Sequence, residues 1–306
     1  GALQPLVEIM RGDTRSATGA SVVGRASEVV ALLATHGRGR AMIEEGGVSR
    51  TLIELCRSSS DARTLTNVGA ALANLSMEES AGMARTLLAE GCVPALLRLI
   101  EPDASQRWGT EAAGVHRNAC GALRNLSRSA EARSLIMDAA EQEAEADAAV
   151  GVEVAPGHHT VLSPLVALIR PKGAAVNADE RMLRHVAALL TNFALDALTR
   201  PLLLEAGAAS RLAAILQHCS KDTTSSIPCL EFASRCLVQL SSDASAVMAL
   251  LNAGAVSALS AAARASAASP ALLMNAATAI MHLARGDGDR RVGGDTGPQL
   301  RIVRDD

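Results

Sequence analysis

The chain has 306 residues, of which 49% are hydrophobic, and a formal net charge of −3 from 29 basic and 32 acidic side chains. This balance excludes the basic excess that is typical of nucleic-acid-binding domains. Aromatic residues make up only 1% of the chain, so its core must be built from Ala, Leu, Val, Ile and Met. Because Ala and Leu favour helices while strands favour β-branched and aromatic residues, the composition predicts an all-α fold.

The cysteines and the hydropathy pattern indicate the compartment. The six cysteines lie mostly in apolar helical runs, and none forms a Cys-x-x-Cys pair. Such thiols act as small hydrophobes, so a secreted disulfide framework is not expected. The sequence has no signal peptide and no uninterrupted apolar stretch of about 20 residues. We therefore expect a cytoplasmic protein without membrane insertion, and we interpret the start at Gly1, without an initiator Met, as that of a fragment.

A segment with an opening Gly and a short apolar helix recurs along the chain. It begins at Gly1, Gly46, Gly91, Thr160, Gly207 and Gly254. The successive spacings are 45, 45, 69, 47 and 47 residues, so a single interval is stretched. Glycine is the preferred residue where a helix ends and the chain turns sharply, which predicts helix ends at Gly91, Gly207 and Gly254.

A second motif recurs in phase with the first and continues as a longer helix. Its copies are VVALLAT, AALANLS, GALRNLS, ALLTNFA, CLVQLSS and AIMHLAR. A third helical run separates each copy from the next Gly, so each unit is predicted to contain two longer helices and a shorter one. Such a unit cannot bury its apolar face alone. Stacked units therefore predict a continuous core and a superhelix with a long concave groove.

This pattern resembles the armadillo repeat family. The resemblance rests on openings such as GCVPAL at 91–96, on the Ala-Leu-x-Asn-Leu cores at 71–75 and 122–126, and on Glu-Ala-Gly at 205–207. It covers residues 1–285. It implies an all-α, right-handed superhelical solenoid of about six repeats, with the first and the last incomplete. HEAT repeats have a similar length but two helices per unit, and the Gly-initiated segment favours the armadillo type.

Two stretches interrupt the repeat pattern. Residues 138–159 contain six acidic side chains and no Lys or Arg, and they account for the long interval. We predict an acidic insertion between two repeats, and we hypothesise that it competes with a partner for the groove. Residues 286–306 are rich in Gly and charge, and we predict a C-terminal tail outside the solenoid.

The resemblance also implies where a partner binds. In the family, an Asn on the third helix of each repeat hydrogen-bonds the backbone of an extended peptide in the concave groove. Motif matching places this Asn at Asn74, Asn125 and Asn192, with Gln239 at the equivalent position of the next unit. A side-chain amide offers both a donor and an acceptor, which suits successive peptide groups. The alternative is that these side chains cap a neighbouring helix.

Arginines share this predicted face. Arg117 and Arg124 flank Asn125 at helical spacing, while Arg184 and Arg235 precede Asn192 and Gln239. Arginine pairs well with carboxylates, so the groove is predicted to favour an acidic segment, with an ordinary solvated helix face as the alternative. The family's nuclear-import receptors carry a Trp one turn before the Asn. No aromatic residue occupies that position here, so recognition of a basic localisation signal is not expected.

Trp108 lies in a connection that is longer than usual. It is either an exposed anchor for a partner, since Trp is enriched at binding hot spots, or a plug within its own repeat.

We find no motif for catalysis, a metal site, a cofactor or a small-molecule substrate. The histidines are scattered over different units, and His158-His159 lacks further ligands. We therefore expect a non-enzymatic scaffold or adaptor that binds other proteins. The alternatives are a structural component of a cytoskeletal or ciliary assembly, with a matching location, and the regulatory solenoid of a larger multidomain protein.

Overall fold

The computed structural model describes residues 2–12, 16–77, 81–100, 107–138, 162–169, 179–219, 226–265 and 269–292. Every regular element within these ranges is a helix, which confirms the all-α prediction. The acidic insertion predicted at 138–159 lies outside the described residues, apart from Asp138.

The helices repeat in groups of three, in which the third helix is the longest. The first repeat contributes α1 (Gln4–Met10) and α2 (Ala17–Leu33). The second comprises α3 (Gly37–Glu45), α4 (Val48–Ser58) and α5 (Ala62–Leu75). The third comprises α6 (Ala81–Ala89), α7 (Cys92–Leu97) and α8 (Ala112–Leu126). The fourth comprises α9 (130–138), α10 (Leu162–Ala167) and α11 (Glu180–Ala194). The fifth comprises α12 (Thr199–Glu205), α13 (Ala208–Cys219) and α14 (Ile227–Ser241). The sixth comprises α15 (Val247–Asn252), α16 (Ala255–Ala265) and α17 (Pro270–Val292).

The repeat count agrees with the prediction of about six. The last repeat has all three helices, so the prediction that it is incomplete is wrong.

Left-handed glycines mark the turn into the second helix of four repeats. Gly47, Gly91, Gly207 and Gly254 have φ angles of 61°, 75°, 80° and 71°. Only glycine adopts this conformation without steric cost. The helix ends predicted at Gly91, Gly207 and Gly254 are therefore confirmed.

The long third helices pack side by side through the whole array. Helix α2 contacts α5, α5 contacts α8, α8 contacts α11, α11 contacts α14, and α14 contacts α17. Side-chain caps fix where several of them begin: the Asp61 carboxylate accepts the backbone N–H of Thr64 at 2.7 Å, and Asp179 accepts that of Arg181 at 2.9 Å. The buried side chains form a continuous core from Leu3 to Leu283. The third helices therefore present a row of outward faces along the array.

The last helix continues past the predicted end of the solenoid. Helix α17 runs to Val292, so it includes the first residues of the segment predicted as a tail. A Cβ at Gly286 would lie 2.5 Å from Cγ2 of Val247, so the helix packs closely on α15 there. The predicted boundary at 285 therefore does not coincide with the end of the last helix, and residues 293–306 lie outside the described ranges.

Candidate peptide-binding groove

The predicted amides bind the helix of the preceding repeat. We call the equivalent positions Leu32, Asn74, Asn125, Asn192, Gln239 and His282 the ladder positions. Nδ2 of Asn74 donates to the carbonyl of Ala31 at 3.4 Å, and Nδ2 of Asn125 donates to that of Ala73 at 2.9 Å. Nδ2 of Asn192 donates to the carbonyl of Arg124 at 3.2 Å. Each acceptor is the residue just before the ladder position of the preceding repeat.

These acceptors lie in the last turn of a long helix, where carbonyls lack the usual backbone donor. The two described N–H groups that follow α5, those of Ser76 and Met77, donate to the carbonyls of Leu72 and Asn74. Among the described residues, the carbonyl of Ala73 therefore accepts its hydrogen bonds from the side chains of Ser76 and Asn125. The ladder amides therefore cap the preceding helix and fix the register between repeats. The capping alternative considered from the sequence is thus observed.

A second row of amides, which sequence reasoning missed, lies two helical turns earlier. Nδ2 of Asn67 donates to the carbonyl of Gly24 at 3.0 Å, and Nδ2 of Asn118 donates to that of Thr66 at 2.8 Å. Asn275 repeats the contact with the carbonyl of Glu231 at 3.3 Å. The signal was present in the sequence, because an Asn precedes the ladder Asn by seven residues in the second and third repeats.

Capping leaves part of the hydrogen-bonding capacity of each amide free. A side-chain amide has two N–H groups and an oxygen acceptor, whereas the bond from Asn125 to Ala73 uses a single N–H. Among the described residues, Oδ1 of Asn125 accepts no hydrogen bond. The half-buried Asn74, Asn118 and Asn125 also line a cavity. Each of these amides can therefore hold its neighbour and still offer hydrogen-bonding groups to a ligand.

This cavity lies between α5, α8 and α11 and has a volume of about 610 Å³. Its lining comprises Ala70, Ala73, Asn74, Met77, Arg117, Asn118, Gly121, Arg124, Asn125, Arg128 and His185. Within the described part of the chain, no Asp or Glu lines it. The cavity thus combines amides with positive charge.

The arginines differ in how they are held. Nη1 of Arg117 pairs with Oδ2 of Asp179 at 2.6 Å, which neutralises its charge. Arg124 lies over the ring of Phe232, 5.6 Å from its centroid. Burial lowers the pKa of Arg124, and the neighbouring charges of Arg184 and Arg128 lower it further. Neither Arg124 nor Arg184 has a carboxylate partner among the described residues, so the charges of these two side chains are not neutralised there.

His185 is another functional candidate that sequence reasoning missed. It occupies the second-row position of the fourth repeat, seven residues before Asn192. Burial, followed by the charges of Arg124 and Arg184, lowers its pKa from 6.5 to about 4, although Asp179 opposes this shift. Its buried Nδ1 has no hydrogen-bond partner among the described residues. The imidazole is therefore neutral at pH 7, and its protonation in the folded chain requires a lower pH than that of a solvent-exposed histidine.

The predicted site residues do not all meet. Arg117, Arg124, Asn74 and Asn125 share the cavity. Asn192 adjoins it through its 3.2 Å hydrogen bond to the carbonyl of Arg124. Gln239 and Arg235 lie on α14, outside the cavity lining, and Arg235 is exposed. The site is therefore centred on the second to fourth repeats.

The Trp108 side chain is buried in the core of the solenoid. Its side chain is only 7% exposed, and its Nε1 donates to the carbonyl of Ser60 at 3.1 Å. The connection from α4 to α5 is thus tied to the third repeat. The alternative of an exposed anchor is wrong, because the ring is buried and its donor is used.

The described residues contain no group of three or more His, Cys, Asp or Glu side chains arranged to hold a metal ion. No single described helix has the length and apolarity to cross a membrane. The pair Ala244–Asn252 and Ala255–Ala265 passes this test jointly, by length and composition, but is bent by 73°.

Comparison with known families and with curated proteins gave no match. Solved structures do match. A computationally designed armadillo repeat protein for modular peptide recognition has a TM-score of 0.65 at 21% identity, covering 92% of this chain and 99% of that chain.

Two further solved structures are similar. A designed armadillo repeat protein in complex with the peptide (KR)4 has a TM-score of 0.60 at 20% identity, covering 92% of this chain and 100% of its own. The second is a chain from a solved structure that concerns a phosphorylation switch controlling the interaction between cadherin and beta-catenin. It has a TM-score of 0.61 at 20% identity, covering 95% of this chain and 46% of its own.

At these identities the similarity establishes the fold. Together with the six groups of helices and the glycine turns, it shows that the chain is an all-α solenoid with the armadillo-repeat fold.

Proposed function

We propose that the chain is a non-enzymatic scaffold that binds an extended, acidic segment of a partner protein along the second to fourth repeats. The observation that carries this proposal is the cavity at Asn74, Asn118 and Asn125, whose amides retain bonding capacity. They lie beside Arg124, which has no carboxylate partner among the described residues. A peptide backbone needs alternating donors and acceptors, and the amides supply both.

The charge of the cavity supports an acidic rather than a basic ligand. Arg124, Arg128 and Arg184 lie close enough together for the latter two to lower the pKa of the first. A carboxylate between them would relieve this repulsion and accept charge-assisted hydrogen bonds. The designed neighbour in complex with (KR)4 binds a peptide of the opposite charge. We infer that the two proteins share an architecture and differ in ligand preference through the side chains of their third helices.

Fluorescence polarisation with two labelled peptides of equal length tests this proposal. The first alternates Glu with Ala and the second alternates Lys with Ala, so both are extended and differ in charge. We expect the chain to bind the Glu peptide more tightly. The double variant Arg124→Gln, Arg184→Gln should weaken that binding about tenfold, which corresponds to about 1.4 kcal/mol.

The matched control is Arg50→Gln, which removes an exposed charge from α4, away from the cavity. Circular dichroism shows whether each variant keeps its helices. Equal binding of both peptides, or equal losses for the control and the double variant, would contradict the acidic preference. Absence of binding to either peptide would contradict the groove itself.

The cytoplasmic location and the adaptor role remain proposals that rest on the sequence. Fractionation of cells that express the tagged chain, with a cytoskeletal pellet collected separately, distinguishes a cytoplasmic adaptor from a component of a cytoskeletal assembly. Recovery in the soluble fraction supports the adaptor, whereas quantitative recovery in the pellet favours the structural role.

A further inference from the structure

We propose that Asp179 is an internal competitor for the acidic segment of the partner. In the free chain it neutralises Arg117, and it thereby sets how strongly the groove prefers acidic ligands. This inference rests on the proposed function, because it concerns the ligand of the same groove. It follows from the two roles of the Asp179 carboxylate and from the repeat position that this residue occupies.

The two oxygens of the Asp179 carboxylate have different partners. Oδ1 accepts the backbone N–H groups of Arg181 at 2.9 Å and of Met182 at 3.4 Å, and so caps the start of α11. Oδ2 pairs with Nη1 of Arg117 at 2.6 Å. The first role stabilises the helix, whereas the second acts on a side chain that lines the cavity. A substitution that keeps one oxygen can therefore separate the two roles.

The contact occupies a junction position that recurs along the array. Arg117 lies eight residues before the ladder position of its repeat, and Asp179 lies thirteen residues before that of the next repeat. The same two positions meet between α14 and α17, where the hydroxyl of Ser269 donates to the carboxylate of Glu231 at 2.7 Å. The repeat geometry thus brings these positions together, and the side chains present decide which charge results.

The fourth repeat provides a natural contrast to Arg117. Arg184 occupies the equivalent position there, but Ser226 occupies the position equivalent to Asp179. A serine hydroxyl cannot neutralise a cation, and Arg184 has no carboxylate partner among the described residues. Two arginines at the same position of the repeat therefore contribute differently to the groove. The residue that makes the difference is Asp179.

The charge of Asp179 also acts on a second residue of the cavity lining. Burial and the charges of Arg124 and Arg184 lower the pKa of His185, whereas the charge of Asp179 opposes this shift. The carboxylate thus offsets part of the positive potential that the arginines produce at the cavity. A ligand carboxylate is repelled by Asp179 and finds Arg117 already paired.

A ligand can reach this ion pair. The side chains of Arg117 and Asp179 are 33% and 19% exposed. A ligand carboxylate can therefore take the place of Asp179 on the guanidinium, which has five N–H donors. Because this exchange replaces one carboxylate with another, it adds little to the affinity of the wild type. Without the charge of Asp179, Arg117 becomes a further anchor for an acidic ligand.

The variant Asp179→Asn tests this role while it keeps the helix cap. Asparagine is as favourable as aspartate at the start of a helix. With its Oδ1 on the cap, its Nδ2 replaces Oδ2 and faces Arg117, and this group donates but does not accept. Fluorescence polarisation should show that the variant binds the Glu peptide about fivefold more tightly than the wild type does. Binding of the Lys peptide should weaken.

The matched control is Asp61→Asn, which makes the same substitution at the equivalent cap of α5. The residue opposite Asp61 is Gly24, and a Cβ there would lie 3.8 Å from Oδ2 of Asp61. Because glycine has no side chain to release, the control should leave the binding of both peptides unchanged. Circular dichroism shows whether each variant keeps its helices.

A double variant shows whether the effect passes through Arg117. Arg117→Gln alone leaves the Asp179 carboxylate unpaired beside the cavity, so it should weaken binding of the Glu peptide. The double variant Arg117→Gln, Asp179→Asn removes both charges and should restore the wild-type affinity. If the pair served only to hold the two repeats together, all three variants would bind the peptide more weakly than the wild type.

The outcomes separate this inference from the proposed function. A wild type that prefers the Glu peptide, with Asp179→Asn binding it no more tightly than Asp61→Asn does, would overturn the internal competitor and leave the proposed function standing. A double variant that keeps the full gain of Asp179→Asn would also overturn it, because Arg117 would then have no part in the effect. Absence of Glu-peptide binding by every variant would remove the proposed function, and this inference with it.

Discussion

The two halves of the solenoid join their long helices by different chemistry. Between α5 and α8, Asn118 and Asn125 bind backbone carbonyls of the preceding helix in both rows. Between α11 and α14, and between α14 and α17, serines at the helix starts bind carboxylates: Ser226 binds Glu180 and Ser269 binds Glu231, each at 2.7 Å. Asn275 is the single second-row amide that the described part of these later junctions contains.

This difference explains why the amide donors and acceptors that line the cavity are concentrated in the first half. An amide that binds a carbonyl still has a donor and an acceptor to offer. A serine hydroxyl at a helix start lies at one end of the long helix, away from the ladder position. The first half therefore holds its repeats together with the same side chains that line the cavity, so stability and binding are coupled there.

The largest effect should come from removing both amides of the third repeat. In Asn118→Ala, Asn125→Ala each lost bond leaves a carbonyl with one partner fewer, which costs about 1–1.5 kcal/mol per site, or about 2–3 kcal/mol in total. Urea unfolding followed by circular dichroism measures this free energy. The control, Gln239→Ala, removes a ladder side chain that forms no hydrogen bond with any described residue, so the free energy of unfolding should change by less than about 0.5 kcal/mol. Equal losses would contradict the distinction between the halves.

A smaller effect separates stability from binding at a glycine of the cavity. A Cβ at Gly121 would lie 3.6 Å from Nε2 of His185 and 3.7 Å from Cβ of Ala73, which are ordinary contacts. Gly121→Ala should therefore stabilise the chain by about 1 kcal/mol, because glycine is unfavourable in a helix interior. The added methyl group enters the cavity, so affinity for the Glu peptide should fall.

Gly69→Ala is the matched comparison, because Gly69 lies in α5 and does not line the cavity. Its Cβ would lie 3.1 Å from Cβ of Asn118, so crowding offsets the gain in helix propensity. Thermal unfolding of the two variants should show a higher midpoint for Gly121→Ala than for Gly69→Ala. The reverse order would contradict the packing described here.

A further prediction concerns acid. The pKa of His185 is lowered from 6.5 to about 4, so between these values the unfolded chain binds more protons than the folded chain. The free energy of unfolding should therefore decrease as the pH is lowered from 6.5 to 4. His185→Gln should flatten this part of the profile, whereas His218→Gln, which alters an exposed histidine, should leave it unchanged. Urea midpoints at several pH values measure both, and parallel profiles for wild type and His185→Gln would contradict the assignment.

Much of the architecture was predictable because it repeats. The glycine-initiated segments and the Asn motifs recur in phase, and the turns at Gly91, Gly207 and Gly254 follow from glycine's freedom at positive φ. The continuation of α17 to Val292 was not predictable, because its close packing at Gly286 against Val247 is a contact between separate helices.

The site was predictable in part. The motif places Asn74, Asn125 and Asn192 on the third helices, but it does not say which bonds they form. Their acceptors lie between 43 and 68 residues away in the chain, so the capping role depends on the stacking of whole repeats. The same holds for Trp108, whose acceptor, Ser60, is 48 residues distant. The cluster of Arg124, Arg184 and His185 likewise forms only when two repeats are brought together.

The left-handed glycines have a consequence for how such a chain can diverge. At Gly47, Gly91, Gly207 and Gly254 any other L-residue is strained, by about 1–2 kcal/mol. The ladder positions, by contrast, hold Leu, Asn, Gln or His within a single protein. The glycines that fix the turns are thus few and separate from the variable ladder positions, although the ladder amides of the first half also hold the repeats together. A chain of this kind can exchange its partner by altering third helices while its turns stay the same, which accounts for a fold that is recognisable at 20–21% identity.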